Sequence, residues 1–274
     1  MKAISFVKMH GTGNDFIIID GLRQKTALGT EQVKKMCRRR LGIGADQVIL
    51  VGPSRKADFK MRIFNADGGE VEMCGNGIRC VAKYLFDGKL TSKKTLEIET
   101  LAGIVKPEVL KDGRVKVDMG TPILEGNKIP VKLSGRVINR TIKAGDREFR
   151  ITCVSMGNPH CVIFIDKVGK FAVSQYGPIL EHHPLFPRRT NVEFIERISI
   201  KEIRMRTWER GTGETAACGS GACAAVVAGV LNSKIERKTL VHLLGGELGV
   251  EWAKDEHVYL TGQAEEVFRG EVRT

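Results

Sequence analysis

The stretch KMRIFNADGGEVEMCGNGIRC, residues 60–80, returns 144 positions later as RMRTWERGTGETAACGSGACA, residues 204–224. Seven of the 21 aligned pairs are identical without a gap: Met61/Met205, Arg62/Arg206, Gly69/Gly213, Glu70/Glu214, Cys74/Cys218, Gly75/Gly219 and Gly77/Gly221. Ordinary residue usage would give about one or two. The same register carries Gly13-Asn14 onto Gly157-Asn158 and Gln47-Val48 onto Asn191-Val192. Thr30, expected to cap a helix near residues 31–40, falls on Ser174, a residue of the same capping type. Four separated segments in one register predict a duplicated domain, not a recurring short motif.

Outward from this repeat the pattern is β-rich. Short alternating or wholly apolar runs occur at 15–20, 47–51, 59–64, 95–99, 114–118, 148–153, 161–165, 201–206, 239–244 and 257–261, punctuated by Gly, Asp and Asn. Helices are few. Residues 78–87 set Ile78, Val81, Ala82 and Leu85 in one helical stripe. Residues 222–231, ACAAVVAGVL, carry no polar side chain beyond a thiol, so a helix there must be buried on every face. The fold class expected is α/β (α+β). It consists of two pseudo-symmetric domains, each a curved mixed sheet or barrel wrapped around a central helix, with the active site in the cleft between them. The boundary is expected around Gly120-Thr121-Pro122, giving domains 1–119 and 120–262. Residues 121–144 have no upstream counterpart in the first half. A C-terminal strand near 264–272, within the segment 263–274, is therefore expected to return and complete the first domain.

The chain of 274 residues is 42% hydrophobic, and none of its apolar runs is long enough to span a bilayer. Its N-terminus, MKAISFVKMHGTGND, lacks the apolar core of a signal peptide. A cytoplasmic location without membrane association is expected. Seven cysteines, with no C-x-x-C pair, match neither a disulfide framework nor a common zinc signature, so no structural metal is expected. A net charge of +12 would suit an acidic partner, but aromatics are only 6% and do not interleave with the basic runs Arg38-Arg39-Arg40 and Arg188-Arg189. No nucleic-acid partner is expected, and the charge reads as solvated surface.

Each repeat presents Cys-Gly-x-Gly directly before a helix: Cys74-Gly75-Asn76-Gly77 and Cys218-Gly219-Ser220-Gly221. Unpaired N–H groups and a partial positive charge at a helix start can cradle a carboxylate and lower the pKa of a thiol. One such cysteine is usually just a small buried residue. Two at equivalent places in a duplicated chain suit one chemistry in particular. Inverting a stereocentre needs a base on one face and an acid on the other, and a thiolate and a thiol exchange those roles when the reaction reverses. The N–H groups at both helix starts would stabilise the carbanion that develops beside a carboxylate. No lysine sits in a recognisable pyridoxal phosphate motif.

At these residues the chain resembles the diaminopimelate epimerases over nearly its full length. The resemblance is carried by KMHGTGNDF (8–16), FNADG (64–68), MCGNGIRC (73–80), GNPH (157–160) and ERGTGETAACGSG (209–221). Gly69 and Ser220 depart from the Ser and Thr that many members carry there. The resemblance implies epimerisation of LL- to meso-2,6-diaminopimelate, in lysine and peptidoglycan precursor synthesis, with no cofactor or metal, by a homodimer. Carried over by position, it makes Cys74 and Cys218 the two acid/base thiols. It gives Gly75, Asn76, Gly219 and Ser220 the reacting carboxylate, and Asn14, Gln47, Asn65, Asn158, Asn191, Glu209 and Arg210 the rest of the substrate. His160 and Glu209 would also poise the thiols. Arg210 can grip the distal carboxylate as a fork, and Glu209 with the amide oxygens can accept from the distal ammonium.

Any one of these asparagines would ordinarily be a turn residue. It is the pairing of Asn14/Asn158, Gln47/Asn191 and Asn65/Glu209 in one register that argues for a shared site. His10, His182 and His183 are expected to be surface or core residues without a partner, and Cys37, Cys80, Cys153, Cys161 and Cys223 structural. Three rivals remain. A proline racemase-like enzyme would not need Glu209-Arg210 with four amides. A phenazine-synthesis-like isomerase would not rely on a cysteine pair. A basic binding protein would keep its function without either thiol.

Overall fold

The computed structural model describes residues 3–273. The chain divides into two compact units. One runs to Val117 and resumes at Gly262, and the other is Asp118–Thr261.

The first unit holds β1 (Ala3–Gly11), β2 (Asn14–Asp20), α1 (Thr30–Cys37), β3 (Gln47–Gly52), β4 (Phe59–Asn65), β5 (Glu70–Val71), α2 (Gly75–Asp87), β6 (Ile98–Thr100), β7 (Gly103–Val105) and β8 (Glu108–Val109), and the chain continues into β9 (Val115–Asp118), the antiparallel partner of β8. Strands β1 and β2 form an antiparallel hairpin. Strand β2 runs parallel to β3 after a crossover through α1, and β4 runs parallel to β6 after a crossover through α2. Ile17, Ile18 and Ile19 are all buried, because this part of the sheet is covered on both faces. Helix α2 presses Ile78, Val81, Ala82 and Leu85 inward, all with no exposed surface.

Helix α1 is shorter than its sequence suggests. It leaves helical geometry at Arg38, and its last carbonyls are met by the returning chain, Gly44 N–H to Met36 O and Ala45 N–H to Cys37 O. A Cβ at Gly42 would collide with the Lys35 carbonyl, so that return is open only to glycine. Its cap is Gly29, whose N–H donates to the Gln32 side chain at 3.0 Å, while Thr30 is already helical. Thr30 is therefore not the N-cap.

The second unit repeats this plan with β10 (Arg140–Ala144), β11 (Arg147–Ser155), β12 (Pro159–Phe164), a short 3-10 turn at Val168–Lys170, α3 (Val173–Glu181), β13 (Asn191–Ser199), β14 (Glu202–Glu209), β15 (Gly213–Thr215), α4 (Gly219–Leu231), β16 (Lys238–Leu243), β17 (Gly246–Trp252) and β18 (Val258–Gly262). The cap of α3 is Ala172, so Ser174 lies inside the helix and is not its cap either.

The duplication extends to the hydrogen-bond register. Phe16 pairs with Gln47 across β2 and β3, and 144 residues on His160 pairs with Asn191 across β12 and β13. Phe64 pairs with Glu70 across β4 and β5, and Trp208 with Glu214 across β14 and β15. The central helices α2 and α4 both contain 13 residues, with ends offset by 144 at both termini. Residues Ala222 through Ala228 of α4 have no exposed surface.

Strand β19 (Glu265–Arg273) pairs antiparallel with β1, while β10 holds the corresponding edge position beside β11. This accounts for the missing upstream counterpart of residues 121–144. The edge strand that precedes β11 in the second sheet reaches the first sheet from the other end of the chain. Ile195, wholly buried against α4, gives a direct measure of this packing. Ile195→Val is expected to cost about 0.5–1.5 kcal/mol, read as a lower urea midpoint at unchanged slope.

Candidate functional site

In the first unit the β4–β5 turn delivers the chain to Cys74, which is extended (φ −139°, ψ 118°) and caps α2. Helix capping needs such a non-helical residue, and it turns the half-buried thiol toward Asn14 at the end of the β1–β2 hairpin. The Cys74 Sγ donates to Asn14 Oδ1 at 3.6 Å, and Asn76 Nδ2 donates to the same oxygen at 3.3 Å. Asn14 in turn donates to Asp46 at 2.8 Å. Neighbouring Gln47 donates to Asn65 Oδ1 at 2.7 Å, and the Gln47 Oε1, though buried, has no hydrogen-bond partner among the described residues. An acceptor left in that state suits a ligand donor such as an ammonium. Beneath the turn lies Arg79, fully buried, donating to Gly75 O, Asn76 Oδ1, Thr12 Oγ1 and Gln263 O at 2.9–3.4 Å. It ties the start of α2 to the hairpin.

A charged cluster supports the hairpin from outside. Burial pushes the Asp15 carboxyl up, but hydrogen bonds from Arg39 and Lys8 outweigh it and bring the carboxyl down to about 2. A depressed folded pKa means stability present above the unfolded value and lost as pH falls through the folded one. Stability is thus expected to decline between about pH 5 and pH 2. In Arg39→Ala the Asp15 carboxyl, followed by NMR, is expected to titrate at a higher pH.

In the second unit Cys218 caps α4 with the same extended geometry (φ −124°, ψ 111°). Its Sγ accepts from the Gly221 N–H at 3.4 Å and lies 3.5 Å from Ser220 Oγ. Glu209, at the end of β14, accepts from Thr215 Oγ1 at 2.5 Å, and the Glu209 carboxyl is raised by burial. Asn191 donates to Pro159 O and accepts the Arg210 N–H, each at 2.9 Å. The exposed Arg210 side chain donates to Arg188 O through one of its five N–H groups. His160 stands between Asn158 Oδ1 at 2.9 Å and Glu193 Oε1 at 2.8 Å, with His160 and Glu193 wholly buried.

A helix start can lower a thiol pKa, yet the Cys218 thiol is raised well above its ordinary range. Burial is the main cause, followed by the charges of Glu209 and Glu193, and the hydrogen bonds from Ser220 and Gly221 only partly oppose them. Apart from the half-buried Cys74, the remaining thiols are buried: Cys37 is pushed up to about 11 and Cys80 to about 12, chiefly by burial. The histidines expected to stand alone do not. His10 faces Glu265 at 3.8 Å, His182 lies 3.0 Å from Pro178 O, and His183 lies 3.2 Å from Lys143 O.

The structure thus gathers Asn14, Cys74 and Asn76 at one helix start, with Gln47 joined to Asn65. It groups Asn158 with His160, Asn191 with the Arg210 backbone, and Ser220 with Cys218. Four contributors were missed from sequence: Arg79, Asp46, Thr215 and Glu193. Arg79 and Thr215 lie inside quoted motifs, but a helical arginine and a strand threonine usually read as surface. Glu193 sits in the alternating run NVEFIE, where a carboxylate ordinarily marks the solvent face. No group of three metal-binding side chains occurs among the described residues, and no helix among them is long and apolar enough to cross a membrane.

The profile of one protein family, described as Diaminopimelate epimerase, matches residues 6–125 and 152–267. The diaminopimelate epimerase of Moorella thermoacetica is 54% identical over 273 residues, covering 97% of this chain and 98% of that protein. That of Carboxydothermus hydrogenoformans is 51% identical over 271 residues, covering 98% and 99%.

The chain belongs to the diaminopimelate epimerase family.

As a family member it is an isomerase. Solved structures extend the likeness at the level of fold. A PhzF-family phenazine biosynthesis protein from Bacillus anthracis superposes with a TM-score of 0.72 at 20% identity, covering all of both chains. A hydroxyproline epimerase from Agrobacterium vitis gives 0.68 at 17% identity, covering 99% of this chain and 91% of that one. Such distant likeness shows the mixed sheet-and-helix fold alone. It is the half-identical relatives that separate diaminopimelate epimerases from the proline racemase-like and phenazine-type readings.

Proposed function

We propose that this chain interconverts LL- and meso-2,6-diaminopimelate by a two-base reaction without cofactor. One thiolate removes the α-proton and the other thiol delivers a proton to the opposite face, and the return direction exchanges the roles of Cys74 and Cys218. The backbone N–H groups of Gly75, Asn76, Gly219 and Ser220, which have no acceptor within their own helices, hold the reacting carboxylate and stabilise the carbanion. Asn14, Gln47, Asn65, Asn158, Asn191, Glu209 and Arg210 bind the rest of the substrate, and His160 and Glu209 poise the thiols. The enzyme acts in the cytoplasm as a homodimer and supplies lysine and peptidoglycan synthesis.

The observation that carries this reading is the pair of cysteine-capped helices, α2 and α4, identical in length and offset by 144 residues. A buried thiol with a raised pKa supports it further, since a proton donor must hold its proton at neutral pH. To test the reading, the reduced protein is incubated with LL-diaminopimelate in deuterated water. Incorporation of deuterium at one α-carbon together with meso product is expected, and absence of both from the wild type would sink the reading.

A further inference from the structure

The two halves share a register but not a chemistry beneath their thiols. In the first half the positions under α2 are apolar: Phe16 on β2 and Ile49 on β3, both with no exposed surface. The same positions under α4, 144 residues on, are His160 and Glu193, again with no exposed surface. The glycines above them also correspond. A Cβ at Gly77 would lie 3.0 Å from the Ile49 methyl, and one at Gly221 would lie 2.7 Å from Glu193 Oε1. Duplication thus left an isoleucine in one copy and a carboxylate in the other, at a spot where only a side-chain-free residue lets the group come close.

A buried carboxylate is costly unless it is paired, so its retention calls for a reason. It lies against the start of α4 and the His160 ring. Its Oε1 lies 2.8 Å from His160 Nδ1, while the buried Oε2 has no hydrogen-bond partner among the described residues. That contact fixes the ring plane and points Nε2 at Asn158, 2.9 Å away. The ionisable groups that act on Cys218 are Glu209 from β14 and Glu193 from β13, the latter in contact with His160 of β12, joined by the Ser220 hydroxyl and Gly221 N–H of α4 itself.

We propose that Glu193 is a positioning residue: its carboxylate locks His160 against Asn158 and biases the Cys218 thiol toward its protonated, proton-donating form. The second half is then the donor half of the resting enzyme, an asymmetry set by what stands at positions 160 and 193. This deepens the two-base reading and rests on it.

Glu193→Gln keeps the shape and removes the charge. With diaminopimelate as substrate, kcat/KM at neutral pH is expected to fall about tenfold or more, mainly through kcat. Its alkaline limb is expected to move about one pH unit lower, because a nearby negative charge no longer opposes thiolate formation. A second measurement needs no substrate: iodoacetamide alkylation of Cys218 against pH, read by peptide mass spectrometry, is expected to show its midpoint moved the same way. The double variant His160→Phe/Glu193→Ile installs the first half's own pair and tests the same shift if Glu193→Gln fails to fold. An alkylation midpoint unchanged in whichever of these variants folds would overturn the proposal, even if the melting temperature falls. Failure of the wild type to turn over diaminopimelate would instead refute the substrate assignment, leaving the alkylation series to decide the role of Glu193.

Discussion

Cys74→Ala and Cys218→Ala are each expected to reduce epimerisation by about a thousandfold or more, with the fold intact. The size follows from the chemistry. A positioned acid or base contributes about 10²–10⁴ in rate, and inversion needs both partners in every turnover, so neither thiol can substitute for the other. Stability should change little, because each cysteine is a small residue capping a helix. Among the described residues Cys218 accepts one N–H, from Gly221, and losing a cap of this kind costs about 1 kcal/mol. The measurement is the rate of meso product from LL-diaminopimelate beside a thermal melt. Either variant retaining wild-type turnover would contradict the two-base scheme. The thiols should differ in reagent sensitivity: Cys74 is half-buried and Cys218 only 6% exposed, so alkylating reagents are expected to reach Cys74 first.

The second large effect is structural in origin. Arg79→Ala is expected to destabilise the first unit by about 3–5 kcal/mol. Arg79 has no exposed surface and donates to four acceptors in three separate segments, at Thr12, at Gly75-Asn76 and at Gln263. Removing it leaves buried acceptors unpaired and a cavity the size of the longest side chain in the unit, and the two costs add. Asn76 also loses the donor that holds its amide beside Asn14, so activity should fall even below the melting temperature. Chemical unfolding and kcat/KM, measured on Arg79→Ala and Arg79→Lys, check both. Lysine has the charge but not the planar fork, and is expected to restore only part of the stability. Stability equal to wild type in Arg79→Ala would show that these hydrogen bonds contribute nothing net.

Much of the architecture was legible because duplication writes a fold twice. The register between residues 60–80 and 204–224 reappears in the pairing of β3 with β4 and β13 with β14. The wholly apolar run 222–231 could be satisfied only by a buried helix, and α4 is one. Most strands came through as apolar runs bounded by turn residues. Less legible were the ends of α1 and α3, where the caps are Gly29 and Ala172 instead of the hydroxyl residues beside them. A side chain favoured at a cap is a preference of about 1 kcal/mol, easily overridden by how the incoming chain packs. Strands β1, β10, β13 and β17 lie outside the runs read from sequence, and so do the short β5, β7, β8 and β15, whose two or three residues carry no period.

What the amino-acid order determined by itself is the repetition: two Cys-Gly-x-Gly helix starts, their shared offset and the family to which they belong. Local rules suffice there, since capping and apolar patterning act within a few residues. Tertiary structure alone decided the environment of each thiol. Whether a carboxylate 25 residues from Cys218 in sequence lies against its helix start depends on strand pairing, and so does the His160–Glu193 contact. Electrostatic energy depends on distance and burial, and neither is a property of the sequence until the chain has folded.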